Sequence, residues 1–172
     1  MKSLEKSQRG FSMIEVLVSL IVIGVGMLGL SGLQIVSMKG TSNAHSRNVA
    51  TMLAFELGER MRANPEGVAG GYYANDDTCT KKLNQCRVSF CTPEEIAHID
   101  VQEVKCGVYK LGEREGGVAN LLSGGTLAVS CVGGCDKPKA MHDISISWGE
   151  LNVHKDQDAS NATQSITISI LP

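Results

Sequence analysis

From Val16 to Met38 the chain carries no charged residue, and three basic side chains, Lys2, Lys6 and Arg9, stand before that stretch. At about 1.5 Å of rise per residue, a helix over this segment reaches roughly 34 Å, enough to cross the hydrocarbon core of a bilayer. Such a segment has to be placed in lipid or in a bundle of other apolar helices, unless it is discarded as part of a signal. The basic flank keeps the N-terminus on the cytoplasmic side and sends everything after Lys39 outward.

An ordinary secretory signal has its apolar run before the cleavage site and closes on a small-x-small motif. Here the order is reversed. A short polar leader, MKSLEKSQRG, ends on Gly10 directly before FSMIEVLVSLIVIGVGML, so a cut after Gly10 leaves the apolar segment in the product. The expected division is a leader over 1–10, an apolar membrane or filament-core helix over 11–38, an amphipathic continuation over 39–64 and a globular domain over 65–172. With 172 residues, one compact domain plus an appendage fits better than two large domains. The formal charge of −2 becomes −4 once Lys2, Lys6, Arg9 and Glu5 are removed. Such a surface gives no electrostatic reason to bind nucleic acid.

Beyond Lys39 no proline interrupts the helical pattern until Pro65, and Val49, Leu53, Leu57 and Met61 recur at i, i+4 spacing. Ala50, Ala54 and Phe55 fall beside or near them. One helix is expected from about Phe11 to Ala63, its first half suited to lipid or a helical bundle and its second to a domain packed on one side. From Asn64 to about Thr92 the sequence is rich in Gly, Asn and Asp and reads as a loop. Thr92, Pro93 and Glu95 then supply an N-cap, a proline at the first helical position and a capping-box glutamate. Ile96, Val104, Val108 and Leu111 can share one face of that second helix, with Gly112 as a plausible stop.

After Gly124 and Gly125 the apolar period changes to two: Leu127, Val129, Cys131; then Ile144, Ile146, Trp148; then Ile166, Ile168, Ile170. Ser, Thr or Ala mostly fill the alternate positions, the mark of an antiparallel sheet with one buried face and one wet face. The apolar helix face long enough to cover that sheet is the second half of the first helix. The expected fold class is therefore α+β, a spine helix laid across a small sheet.

Six cysteines, Cys79, Cys86, Cys91, Cys106, Cys131 and Cys135, all fall on the exported side. An even number in an oxidising compartment reads as disulfides; of the fifteen connectivities, a short Cys131–Cys135 loop and pairings within the first four are preferred. The first four, with His98, could be drawn as a zinc site, and Cys131 with Cys135 as a redox pair. The spacing is not that of paired CxxC motifs, so no metal and no cofactor are expected.

Glu15 stands out on physical grounds, since a carboxylate just inside an apolar helix costs a few kcal/mol unless it sits at an interface or finds a partner. Gly10-Phe11-Ser12-Met13-Ile14-Glu15-Val16-Leu17 resembles the class III signal of type IV pilins and pseudopilins. The resemblance implies that a prepilin peptidase cuts after Gly10 and methylates the new amine of Phe11, and that Glu15 pairs with that amine on a neighbouring subunit. Glu59-Arg60-Met61-Arg62-Ala63-Asn64, the later Leu121-Leu122-Ser123-Gly124-Gly125 and the strand ending Ile146-Ser147-Trp148 narrow it. They are similar to the pattern of PilV-type minor pilins, although Ser123 stands where that family often has proline.

That resemblance implies a type IV pilin fold and a non-enzymatic, low-abundance filament subunit. Such a chain sits in the inner membrane as a single-pass protein before assembly and then in an extracellular pilus, at its tip. The implied partners are the prepilin peptidase, the inner-membrane assembly platform, the major pilin, other minor pilins and a tip adhesin, with twitching motility and adhesion downstream. The same leader also serves minor pseudopilins of type II secretion or DNA-uptake machines. A different class, an uncleaved membrane-anchored periplasmic enzyme or metal protein, requires an intact Met1.

Other signals are weaker. Gly24-Val25-Gly26-Met27-Leu28-Gly29 satisfies GxGxxG, yet it follows no strand and lies inside an apolar span. Its glycines weaken the helix and permit close helix approach, so Gly24 to Gly32 is a place where it could stretch or pack tightly. His45, His98, His142 and His154 are scattered among polar residues and are expected at the surface. Asn161-Ala162-Thr163 matches a glycosylation triplet that is common by chance.

Overall fold

The computed structural model describes residues 10–74, 79, 90–110, 112–135, 140–150 and 162–171. Helix α1 runs Met13–Ala63, followed by a short α2 (Pro65–Ala69), a 3-10 turn (Tyr72–Ala74) and α3 (Pro93–Cys106). Then come β1 (Val108–Lys110), β2 (Glu113–Glu115), α4 (Val118–Leu121), β3 (Thr126–Val132), β4 (Met141–Glu150) and β5 (Ala162–Ile170). The chain divides into two units, one ending at Gly40 and the other beginning at Thr41.

In the first unit the apolar residues of α1 are exposed on every side, from Met13 and Ile14 through Leu17, Ile21, Val25 and Leu28 to Met38. A helix apolar all round is built for lipid or for packing against other helices. Its serines do not compromise that surface. Ser19 and Ser31 donate their hydroxyls to the carbonyls of Glu15 and Met27, one turn back, at 2.7 and 2.9 Å.

The second unit is organised by a three-stranded antiparallel sheet in the order β3-β4-β5. Leu127 faces Ile146 and Val129 faces Ile144 across β3 and β4; Ile146 faces Ile166 and Ile144 faces Ile168 across β4 and β5. This register collects the apolar side chains on one face. The other face is closed by hydroxyls: Thr126 with Ser147, Ser145 with Thr167, and Ser169 donating to Asp143.

Ala50, Leu53, Ala54, Leu57 and Met61 of α1 join Ile144, Ile146, Trp148 and Ile170 in one core with Val101 and Val104 of α3. Gly58 of α1 lies over Ile170 of β5, where an added Cβ would stand 3.6 Å from two atoms of Ile170, an ordinary packing contact. Arg47 ties the same helix to the sheet through Glu150 at 3.4 Å and Gln164 at 3.2 Å. The fold is α+β, with a long N-terminal helix and small antiparallel sheets, consistent with the type IV pilin fold.

Four local expectations need correction. The stretch after Asn64 is not all loop: the Asn64 side chain accepts from Gly67 N at 3.1 Å, Pro65 takes the first turn, and α2 forms. The capping box of Thr92 and Glu95 does start α3, but the helix stops at Cys106, not near Gly112. Gly107 adopts φ +83°, where a Cβ would run into the backbone of Glu115 and Gly116. Val108 therefore belongs to β1, which pairs with β2 in a hairpin, and Leu111 lies outside the described residues. Phe55 points away from the core and is 53% exposed.

Candidate functional site

Gly10, Phe11 and Ser12 precede the first helical residue, Met13, and all three are exposed. Phe11 is 83% exposed, and among the described residues no atom beyond its chain neighbours would lie within 4 Å of a Cβ placed on Gly10. The peptide bond between Gly10 and Phe11 thus lies in non-helical chain immediately before α1. Helix geometry begins at Ser12, whose carbonyl accepts from Glu15 N at 3.0 Å and Val16 N at 3.3 Å.

Glu15 occupies the first turn of α1, where the positive end of the helix dipole favours a carboxylate. Its side chain has no partner among the described residues. Ile14, Val16 and Leu17 surround it with exposed apolar surface.

The cysteines stand as follows. Cys79 is bonded to Cys106, which is buried at the end of α3, with Cα atoms 5.6 Å apart. Cys131 on β3 is bonded to Cys135 four residues on. Cys91 is also disulfide-bonded, and Cys86 lies outside the described residues.

A polar cluster that sequence reasoning did not assemble joins the end of α1 to α3. Arg60 donates to Glu56, to Asp100 at 3.1 Å and to Glu103 at 2.8 Å. The Tyr73 hydroxyl donates to Asp100 at 2.7 Å, and Asn64 donates to Tyr73 and to the Pro93 carbonyl. Burial alone would lower the pKa of Arg60, but the three carboxylates outweigh it and hold the guanidinium charged. Burial, helped by the bond to Asp100, pushes the Tyr73 phenol above its ordinary value. Arg60 and Asn64 lie within the Glu59–Asn64 stretch singled out in the sequence, which is thus a clasp for α3. Tyr73, Asp100 and Glu103 carried no periodic signal that would have joined them to it.

His142 also departs from expectation. It is fully buried, donating Nδ1–H to the Ala140 carbonyl at 2.9 Å, because it shares the inward phase of Ile144 and Ile146. That phase was the available signal. His45 is exposed, His98 is half-buried beside Glu94 at 3.9 Å, and His154 and Asn161 lie outside the described residues.

Comparison with protein families gives two adjoining matches. Residues 6–31 match the prokaryotic N-terminal methylation motif, and residues 32–102 match the Tt1218-like family, described as type IV pilin Tt1218. No curated protein and no solved structure matches the chain. The two family matches meet within α1 and cover both the processing segment and the helix that packs on the sheet. The chain is a type IV pilin-like protein. Its methylation motif places it with substrates of the prepilin peptidase and in the context of pilus assembly, as a structural, membrane-anchored pilin.

Proposed function

We propose that this chain is a PilV-type minor pilin, which joins other minor pilins in a complex at the pilus tip and primes polymerisation of the major pilin. In this reading the prepilin peptidase removes residues 1–10 and methylates Phe11. Residues 11–38 hold the subunit in the inner membrane and later pack in the filament core. Residues 39–64 and the disulfide-bonded domain over 65–172 meet the other minor pilins and a tip adhesin. Adhesion and twitching motility follow from that assembly, driven through the inner-membrane platform.

The observation that supports this reading best is the start of α1: a non-helical Gly10–Phe11 bond, a Glu15 with no partner among the described residues, and an apolar surface exposed all round. Leaving the membrane for a filament exchanges lipid contact for helix contact, which keeps apolar surface covered throughout. The Glu15 carboxylate then gains a charge-assisted bond to a neighbour's amine in a medium of low dielectric, where such a bond is strong. The minor-pilin assignment draws on the resemblance carried by Glu59 to Asn64 and by Ile146 to Trp148.

Glu15→Leu tests the pairing. The variant should insert and be trimmed as usual but be depleted from sheared filaments, and fewer pili should form although the major pilin is intact. Normal incorporation with normal piliation would contradict the pairing role.

A further inference from the structure

The Cys131–Cys135 disulfide closes over His142. The two sulfurs and one ring nitrogen of His142 all lie within 4.8 Å of one another. The register explains this: Cys131 on β3 is the direct cross-strand partner of His142 on β4, and the chain turns back after Cys131 through Gly133 and Gly134, at φ +81° and +100°. Those two glycines let Cys135 return over its partner in four residues.

The histidine is an unusual occupant of that place. It is 0% exposed, and its Nε2 has no hydrogen-bond partner among the described residues. With Nδ1–H given to the Ala140 carbonyl, Nε2 is the nitrogen that carries the lone pair. A ring nitrogen fixed by a backbone carbonyl while the other stays unshared is the arrangement found in metal-bound imidazole. Burying a ring nitrogen without a partner carries a desolvation cost that a ligand would offset.

We propose that Cys131, Cys135 and His142 form a redox-gated site for a zinc-class cation, closed while the disulfide is intact and opened by a dithiol reductant. One thiolate of the dithiol attacks a sulfur of the Cys131–Cys135 bond, and the mixed disulfide is resolved by the second thiol. Two electrons and two protons pass to the cysteines, and the dithiol leaves as a cyclic disulfide. Zn²⁺ then displaces the two thiol protons into solvent and binds two thiolates and the His142 imidazole. Two soft sulfurs and a nitrogen suit zinc, and three protein ligands leave a fourth tetrahedral position open to water or to an outside ligand. Tetrahedral zinc spaces its sulfurs by about 3.7 Å. The sulfurs must therefore move apart on reduction, and the glycine loop on the Cys135 side can yield while Cys131 stays in the strand. Both cysteines are partly exposed, which gives a reductant access to them.

The test uses the full chain in detergent, reduced with a dithiol, desalted without oxygen and titrated with Co²⁺ as a spectroscopic substitute for Zn²⁺. The reduced chain should develop thiolate-to-cobalt charge-transfer absorption, lost again on adding Zn²⁺, and should bind one equivalent more than a Cys131→Ser/Cys135→Ser double variant. The oxidised chain should bind none. His142→Gln should weaken binding by at least the roughly tenfold that loss of even an outer partner causes. Because reduction opens the other disulfides too, a second readout is specific to the site and needs no variant. Zn²⁺ should protect Cys131 and Cys135 of the reduced wild-type chain from alkylation, as read by peptide mass mapping. Equal cobalt binding by wild type and double variant, or equal alkylation of Cys131 and Cys135 with and without Zn²⁺, would overturn the proposal.

Discussion

Arg60 shows how one side chain sets the position of a helix. Three carboxylates, Glu56, Asp100 and Glu103, converge on its guanidinium, with Asp100 itself buried and shared with Tyr73. Arg60→Ala leaves Asp100 and Glu103 facing each other without a counter-charge. Allowing for partial solvent screening, it should cost about 2 kcal/mol, measured by denaturant unfolding of the exported domain. Tyr73 gives a pH signature. Its phenol titrates higher folded than unfolded, so above the ordinary value of 10.0 the unfolded chain gives up a proton that the folded chain keeps. Stability is therefore fully present below pH 10 and should fall as pH rises beyond it. Tyr73→Phe should flatten that alkaline slope, and comparing midpoints at pH 9 and pH 11 checks it.

Among the elements, the second half of α1 does most to cover the sheet. Leu57 is fully buried there, and Leu57→Ala should lower stability by about 3 kcal/mol, with the sheet signal in circular dichroism lost at a lower temperature. This helix, the capping box of α3 and the three long strands were legible in the sequence because each repeats a local rule over many residues: a 3.6 period, a cap at fixed spacing, a period of two. The β1–β2 hairpin was not, since Val108–Lys110 and Glu113–Glu115 are too short and too charged to alternate. It forms because Gly107 turns the chain out of α3, a tertiary fit that no period reports. His142 was misplaced for a related reason: its chemistry suggested surface, whereas its place two residues before Ile144 assigned it inward. The start of α1 was legible as a motif, but the clasp around Arg60 joins side chains up to 43 residues apart in sequence.

At the scale of the molecule, the unit that begins at Thr41 carries its own core, so a chain starting there should fold without the apolar segment. It should melt cooperatively when produced in an oxidising compartment and offer no reactive thiol before reduction; non-cooperative melting would place part of its core upstream. Opening the Cys79–Cys106 bond, which spans 27 residues, should cost about 3 kcal/mol in the same measurement. In the proposed reading the apolar unit holds the subunit first in lipid and then among other helices, which requires that it survive processing. The mass of the mature N-terminus decides whether it does. Filament-subunit processing predicts a chain that begins at N-methylated Phe11 and lacks residues 1–10. A mature chain that still begins at Met1 would contradict it.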